Sequence, residues 1–218
     1  MQVYLVANPK GGAGKSTLAT NLAGLLAWRG GVTGAAQVML GDVDRQQSSR
    51  LWLARRPAVL PLIRSWDLKP DRAARPPAGT THVVLDTPAA FHGDKLKECL
   101  KLATRVLVPV QPSMFDILAT RSFFDELAEL KAARGVQVAL IGMRVNERSR
   151  AAAEFLRFVE GSGLPLVACL RDTQNYVQLA AHGMSLFDVA PTRVARDLEQ
   201  WQAIAAWLGV HCLPPTLD

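Results

Sequence analysis

At 218 residues the chain is long enough for one well-buried domain, and its length does not require two. A hydrophobic content of 49% excludes a disordered chain, while no apolar run reaches the roughly 20 residues needed to span a bilayer. A net charge of +6 points toward a polyanionic partner, and the three widely separated cysteines, Cys99, Cys169 and Cys212, fit reduced thiols in a cytoplasmic protein rather than a disulfide scaffold or a paired-cysteine metal site.

An apolar run of strand length opens the chain at residues 3–7, where a signal peptide would otherwise stand. Lys10-Gly11-Gly12-Ala13-Gly14-Lys15-Ser16-Thr17 follows, and residues 18–28 read as a helix. Strand, glycine loop, Lys-Ser/Thr and helix together make a phosphate cradle. Glycines visit positive φ cheaply, so successive backbone N–H groups can converge on an anion, and the helix start adds its own unpaired N–H groups. In this reading the N–H groups of Gly11, Gly12, Ala13 and Gly14 hold phosphate oxygens. Lys15 reaches the β- and γ-phosphates, Ser16 offers its hydroxyl to Mg²⁺, and Thr17 contacts the α-phosphate of ATP.

Residues 30–34 are predicted as a loop, 38–40 as a short second strand closing in Asp42-Val43-Asp44, and 48–56 as a helix. The proline-broken stretch beyond it includes a predicted strand at 60–63. Residues 83–86 form a strand ending in Asp86, followed by a helix at 95–102, a strand at 106–110 and a long amphipathic helix at 115–133. A strand at 136–145, a helix at 150–160, a strand at 165–169 and helices at 173–181 and 192–208 complete the pattern. In the last helix Val194, Leu198, Trp201, Ile204 and Leu208 share one face and are predicted core. Strands alternate with helices and are mostly unbroken apolar runs. The expected fold class is therefore α/β, a mostly parallel twisted sheet with helices on both faces, in a single P-loop domain over residues 1–218.

Ligands of such sheets collect at the carboxyl ends of the strands, where this sequence places acids. Asp86 stands where a Walker B carboxylate would hold Mg²⁺, and Asp42 and Asp44 close the neighbouring strand. Charge is uneven along the chain: residues 45–75 carry eight basic side chains (Arg45, Arg50, Arg55, Arg56, Arg64, Lys69, Arg72, Arg75) against two acids. That belt is a candidate nucleic-acid patch, with a solvated surface as the alternative.

The second lysine in front of the glycines, Lys10, and Pro9 where the general motif has glycine give a deviant phosphate loop that resembles the ParA/MinD family of ATPases. The similarity extends from Gln2 to about Leu208 and is greatest to short ParA-type partition ATPases without an added amino-terminal DNA-binding domain. The resemblance implies that Lys10 crosses a dimer interface to the partner's nucleotide, that Asp44 positions the attacking water, and that Asp42 supports the magnesium side. Asp42-Val43-Asp44-Arg45-Gln46 departs from the family's Asp-x-Asp-Pro-Gln at Arg45, and Gly41 replaces a bulky apolar residue. Pro109 to Ser113, with Pro112, looks like the family segment beside nucleotide and dimer interface. Asn146 matches an asparagine that reads the adenine edge, and Phe187-Asp188 the segment bordering the base. The implied activity is slow ATP hydrolysis to ADP and phosphate, driving a homodimer that binds non-specific DNA over the nucleoid in the cytoplasm until a ParB-like adaptor stimulates turnover. Arg144, Arg148, Arg150, Arg171, Arg193 and Arg196 are candidate DNA contacts, with Arg50, Arg55 and Arg56 as rivals.

Three other classes compete. A MinD-like membrane switch needs a basic amphipathic tail, and residues 208–215 hold no lysine or arginine and two prolines. An iron–sulfur reductase needs a cysteine pair, and Cys99 has no second cysteine in the loop after 106–110. A biosynthetic ligase of the dethiobiotin or cobyrinic type shares the phosphate loop but needs a substrate pocket, and His82, His92, His182 and His211 are scattered.

Overall fold

Strands without polar alternation need apolar cover on both faces, and the topology provides it. The computed structural model describes residues 1–33, 36–44, 46–66, 76–130 and 133–210. In chain order the elements are β1 (Gln2–Val6), α1 (Lys15–Thr33), β2 (Val38–Asp42), α2 (Ser48–Ala54), β3 (Ile63–Trp66), β4 (His82–Asp86) and α3 (Gly93–Leu102). There follow β5 (Arg105–Val110), α4 (Met114–Glu129), β6 (Gln137–Gly142), α5 (Arg150–Ser162), β7 (Leu166–Cys169), α6 (Gln174–Ala181) and α7 (Ala195–Leu208). Short 3₁₀ turns at Leu186–Asp188 and Pro191–Arg193 lie before α7.

The seven strands form one parallel sheet in the order β3-β2-β4-β1-β5-β6-β7. Successive residues of β1 separate to opposite faces. Tyr4 and Val6 join a core with Leu18, Leu22, Leu26, Trp52, Leu179 and Trp201, from α1, α2, α6 and α7. Val3 and Leu5 join Leu96, Phe123 and Phe155, from α3, α4 and α5. The predicted face of the last helix is buried at all five positions. Connections leave β1 and β4 toward opposite halves of the sheet, which opens a crevice at their carboxyl ends.

Several predicted boundaries move. Helix α1 continues to Thr33 through the glycines read as a loop, because the missing side chain of Gly30 leaves room for Ala36, whose Cβ lies 2.3 Å from where a Gly30 Cβ would stand. The third strand is Ile63–Trp66 rather than 60–63: Leu62 is exposed, and the strand lies at the sheet edge, where Arg64 and Ser65 face solvent. The long helix ends at Glu129, with Leu130 extended. The sixth strand stops at Gly142, three residues early, since Arg144 adopts φ 52° and turns the chain. Arg45, Lys69, Arg72, Arg75, Cys212 and the predicted tail at 211–215 lie outside the described residues.

Candidate functional site

The glycine loop leaves β1 at Val6 and enters α1 at Lys15, with Gly12 and Gly14 at φ 80° and 94°. Those angles are open to glycine and strained for other residues, so the loop can fold back on itself with its N–H groups inward. Lys15, only 8% exposed, donates from Nζ to the carbonyl of Lys10 at 2.8 Å. Burial pulls its pKa below the ordinary lysine value, while the charges of Asp86 and Asp44 act in the opposite direction. The loop's start is fixed by Asn8, a fully buried residue. Its Oδ1 accepts from the Lys10 N–H at 2.8 Å, and its Nδ2 donates to the Pro109 carbonyl and to Thr120 Oγ1. Gln111 Nε2 donates to the Gly12 carbonyl from the other side. Asn8 escapes sequence reasoning because its partners Pro109 and Thr120 lie about a hundred residues away in the chain, whereas Gln111 falls in the segment that resemblance singles out.

Asp42 and Asp86 sit side by side in register at the ends of β2 and β4. Asp42 Oδ1 accepts from the Asp44 N–H, and its Oδ2 accepts from the N–H groups of Ser49 and Arg50. Helix α2 has no side-chain cap of its own, because Gln47 at its start is left-handed, and the Asp42 carboxylate substitutes for one. Burial raises the Asp42 pKa against those three backbone donors. Asp44 Oδ1 accepts from the Gln46 N–H at the lip of the crevice.

Asp86 is 1% exposed. Its Oδ2 accepts from the Ser49 hydroxyl, and its Oδ1 is buried with no partner. Burial pushes its pKa up to about 6, although the Ser49 and Ser16 hydroxyls and the charge of Lys15 pull it back. A buried carboxylate oxygen with an unused lone pair, close to the Ser16 hydroxyl, is a donor set suited to a hard cation. Among the described residues no group of three or more His, Cys, Asp or Glu side chains converges on a metal position. A cation here would complete its shell with phosphate oxygens and water, as Mg²⁺ commonly does.

Beside these residues a crevice of about 1240 Å³ takes in Gly11 to Thr17, Asp42, Asp44, Thr87, Phe91, His92, Cys99 and Arg144. Gln47, Ala90 and Arg144, the described non-glycine residues at positive φ, all border it. Concentrated backbone strain of this kind is a mark of functional loops. Burial, with the charge of Glu98, raises the Cys99 thiol pKa to about 11.

The remaining predicted residues are placed as follows. Pro112 is half-buried and stands off the crevice, while its neighbour Gln111 reaches the loop. Asn146 is exposed, also off the crevice, and its Oδ1 accepts from the Arg148 N–H in a local turn. Arg56 and Arg171 are committed to buried carboxylates, those of Asp188 and Asp197. Arg148, Arg150, Arg193 and Arg196 are exposed. No helix among the described residues is long and apolar enough to cross a membrane.

Comparison with known proteins agrees with this fold. A curated relative, Maintenance of carboxysome distribution protein A of Gloeobacter kilaueensis, is 29% identical over 189 residues, covering 85% of this chain and 83% of the relative. Among solved structures, an ATP complex of a Cyanothece McdA variant superposes with a TM-score of 0.70 at 16% identity, covering 98% of both chains. The MinD cell division protein of Aquifex aeolicus gives 0.71 at 15% identity, over 98% of this chain and 99% of its own. Residues 4–187 match the CobQ/CobB/MinD/ParA nucleotide-binding domain, and the chain belongs to that family.

Proposed function

We propose that this chain is an ATP-hydrolysing positioning switch whose ATP-bound form is a homodimer on non-specific DNA, released when an adaptor protein stimulates turnover. The observation that carries the proposal is the pairing of a two-lysine glycine loop with a buried, half-unpartnered Asp86 at the end of the strand next to β1. Loop N–H groups and Lys15 bind the triphosphate, Thr17 the α-phosphate, and Ser16 with Asp86 would hold Mg²⁺. Bound there, the ion neutralises charge that develops on the phosphates. Asp44 orients water from the lip, Asp42 holds the Asp44 loop and α2 in place, and Lys10 crosses to the second copy's triphosphate. With no strong general base, turnover is slow, as suits a timer.

Met114, Phe115 and Leu118, at the start of α4, are 58%, 76% and 52% exposed, one turn past the segment that grips Gly12. An apolar face in that place supports a second copy docking over the nucleotide. The name of the curated relative favours a protein body as cargo, carried by a nucleoid-associated cytoplasmic dimer. Exposed Arg148, Arg150, Arg193 and Arg196 are the DNA contacts in this reading.

The deciding experiment is Lys10→Ala under size-exclusion chromatography with a non-hydrolysable ATP analogue and magnesium. Wild type should elute as a dimer, and the variant as a monomer that still binds nucleotide. A wild-type chain that stays monomeric when saturated with the analogue overturns the switch.

A further inference from the structure

One buried hydroxyl beside the strand-end carboxylates is unused by the phosphate loop. Ser49 lies in the first turn of α2, is fully buried, and joins both carboxylates: its backbone N–H donates to Asp42 Oδ2 at 2.9 Å and its hydroxyl to Asp86 Oδ2. A carboxylate at a strand end has two-fold rotational freedom about its last bond, and either oxygen can turn toward a cation. The Ser49 hydroxyl removes that choice. It occupies Oδ2 and leaves Oδ1 the bare oxygen.

The hydroxyl itself is not free to drift, because α2 is anchored at both ends. Asp42 holds its first N–H groups, while Trp52 Nε1 donates to the Met184 carbonyl and Arg56 makes a two-bonded pair with Asp188 near the helix's end. The Ser49 hydroxyl bonds outside its own helix, to a carboxylate on the neighbouring sheet.

We propose that Ser49 is a positioning residue for the cation site, holding the Asp86 carboxylate so that Oδ1 faces the ion that Ser16 and the phosphates share. The inference rests on the nucleotide reading above and adds to it a residue 37 positions from the carboxylate that it orients. Mg²⁺ demands near-ideal octahedral geometry, so a carboxylate free to rotate binds it less well. Outer partners of metal-ligating groups are commonly worth 10- to 100-fold in metal affinity.

The test uses the full chain, a fluorescent ATP analogue at fixed concentration and a magnesium titration. Ser49→Ala should raise the Mg²⁺ midpoint of the binding signal about tenfold, with nucleotide affinity at saturating Mg²⁺ within twofold of wild type. Ser49→Cys, nearly isosteric but with a weak S–H donor, should move the midpoint in the same direction by less and covers the case that the alanine variant folds poorly. An unchanged midpoint in the cysteine variant overturns the proposal, as does equal weakening at low and saturating magnesium, the mark of a merely structural residue. Absence of analogue binding by wild type at any magnesium concentration overturns the nucleotide reading itself, and is thereby distinguishable.

Discussion

Replacing Arg56 by methionine removes one half of a buried ion pair and keeps most of the side chain's bulk. Arg56 Nη1 and Nη2 each lie 2.8 Å from an oxygen of Asp188, with side-chain exposures of 5% and 0%. The guanidinium also packs 5.4 Å from the Trp52 ring and donates to the Pro61 carbonyl. Without it, the Asp188 carboxylate stays buried with only the Ser185 N–H and hydroxyl as donors. Removing one partner of a buried pair costs about 3–5 kcal/mol, and the two surviving donors place this case at the lower end, about 3 kcal/mol. For a chain of this size that is a fall in Tm of roughly 6–12 °C. Thermal unfolding followed by circular dichroism measures it. The double variant Arg56→Met/Asp188→Leu removes the orphaned charge and should recover at least half of the loss. A single-variant shift below about 2 °C, or a double variant whose loss is the sum of the two singles, refutes the assignment of this pair as the clasp between α2 and the turn before α7.

Lys15→Gln should reduce binding of a fluorescent ATP analogue at least a hundredfold by equilibrium titration, since a buried charge-assisted contact contributes roughly 3 kcal/mol. DNA affinity should require ATP and fall roughly a hundredfold between 50 and 200 mM salt if about four phosphates are contacted, which fluorescence anisotropy on a random duplex will show. Asp86→Asn should lose magnesium-dependent nucleotide binding and yet raise the Tm of the ligand-free chain. The folded-state pKa of Asp86, about 6, lies above its ordinary 3.8. The destabilising contribution is therefore full above about pH 6 and gone below about pH 4, so the gain, up to about 3 kcal/mol at pH 7.5, should vanish in acid.

The alternation of strands and helices was readable because apolar runs and helical spacing are local properties. The phosphate loop was readable for the same reason, since its chemistry is packed into eight consecutive residues. Long-range partners leave no such trace. Nothing near Asn8 announces Thr120, and nothing near Ser49 announces Asp86. The third strand was misplaced because hydrophobicity peaks at 60–63, while pairing with Val38 to Gly41 selects Ile63–Trp66. Asn146, singled out by resemblance alone, is exposed and accepts from the Arg148 N–H in a local turn.

Gln47, Ala90 and Arg144 stand on three separate loops, each bending the wrong way for an ordinary side chain along one rim. Loops of that kind are intolerant of length changes, because a single inserted residue would swing the rim outward and carry its neighbours with it. Variation in relatives of this molecule should accordingly accumulate on the outer helices and the sheet edge near Arg64, leaving the spacing from Asp42 to Ser49 and from Asp86 to Gly93 untouched.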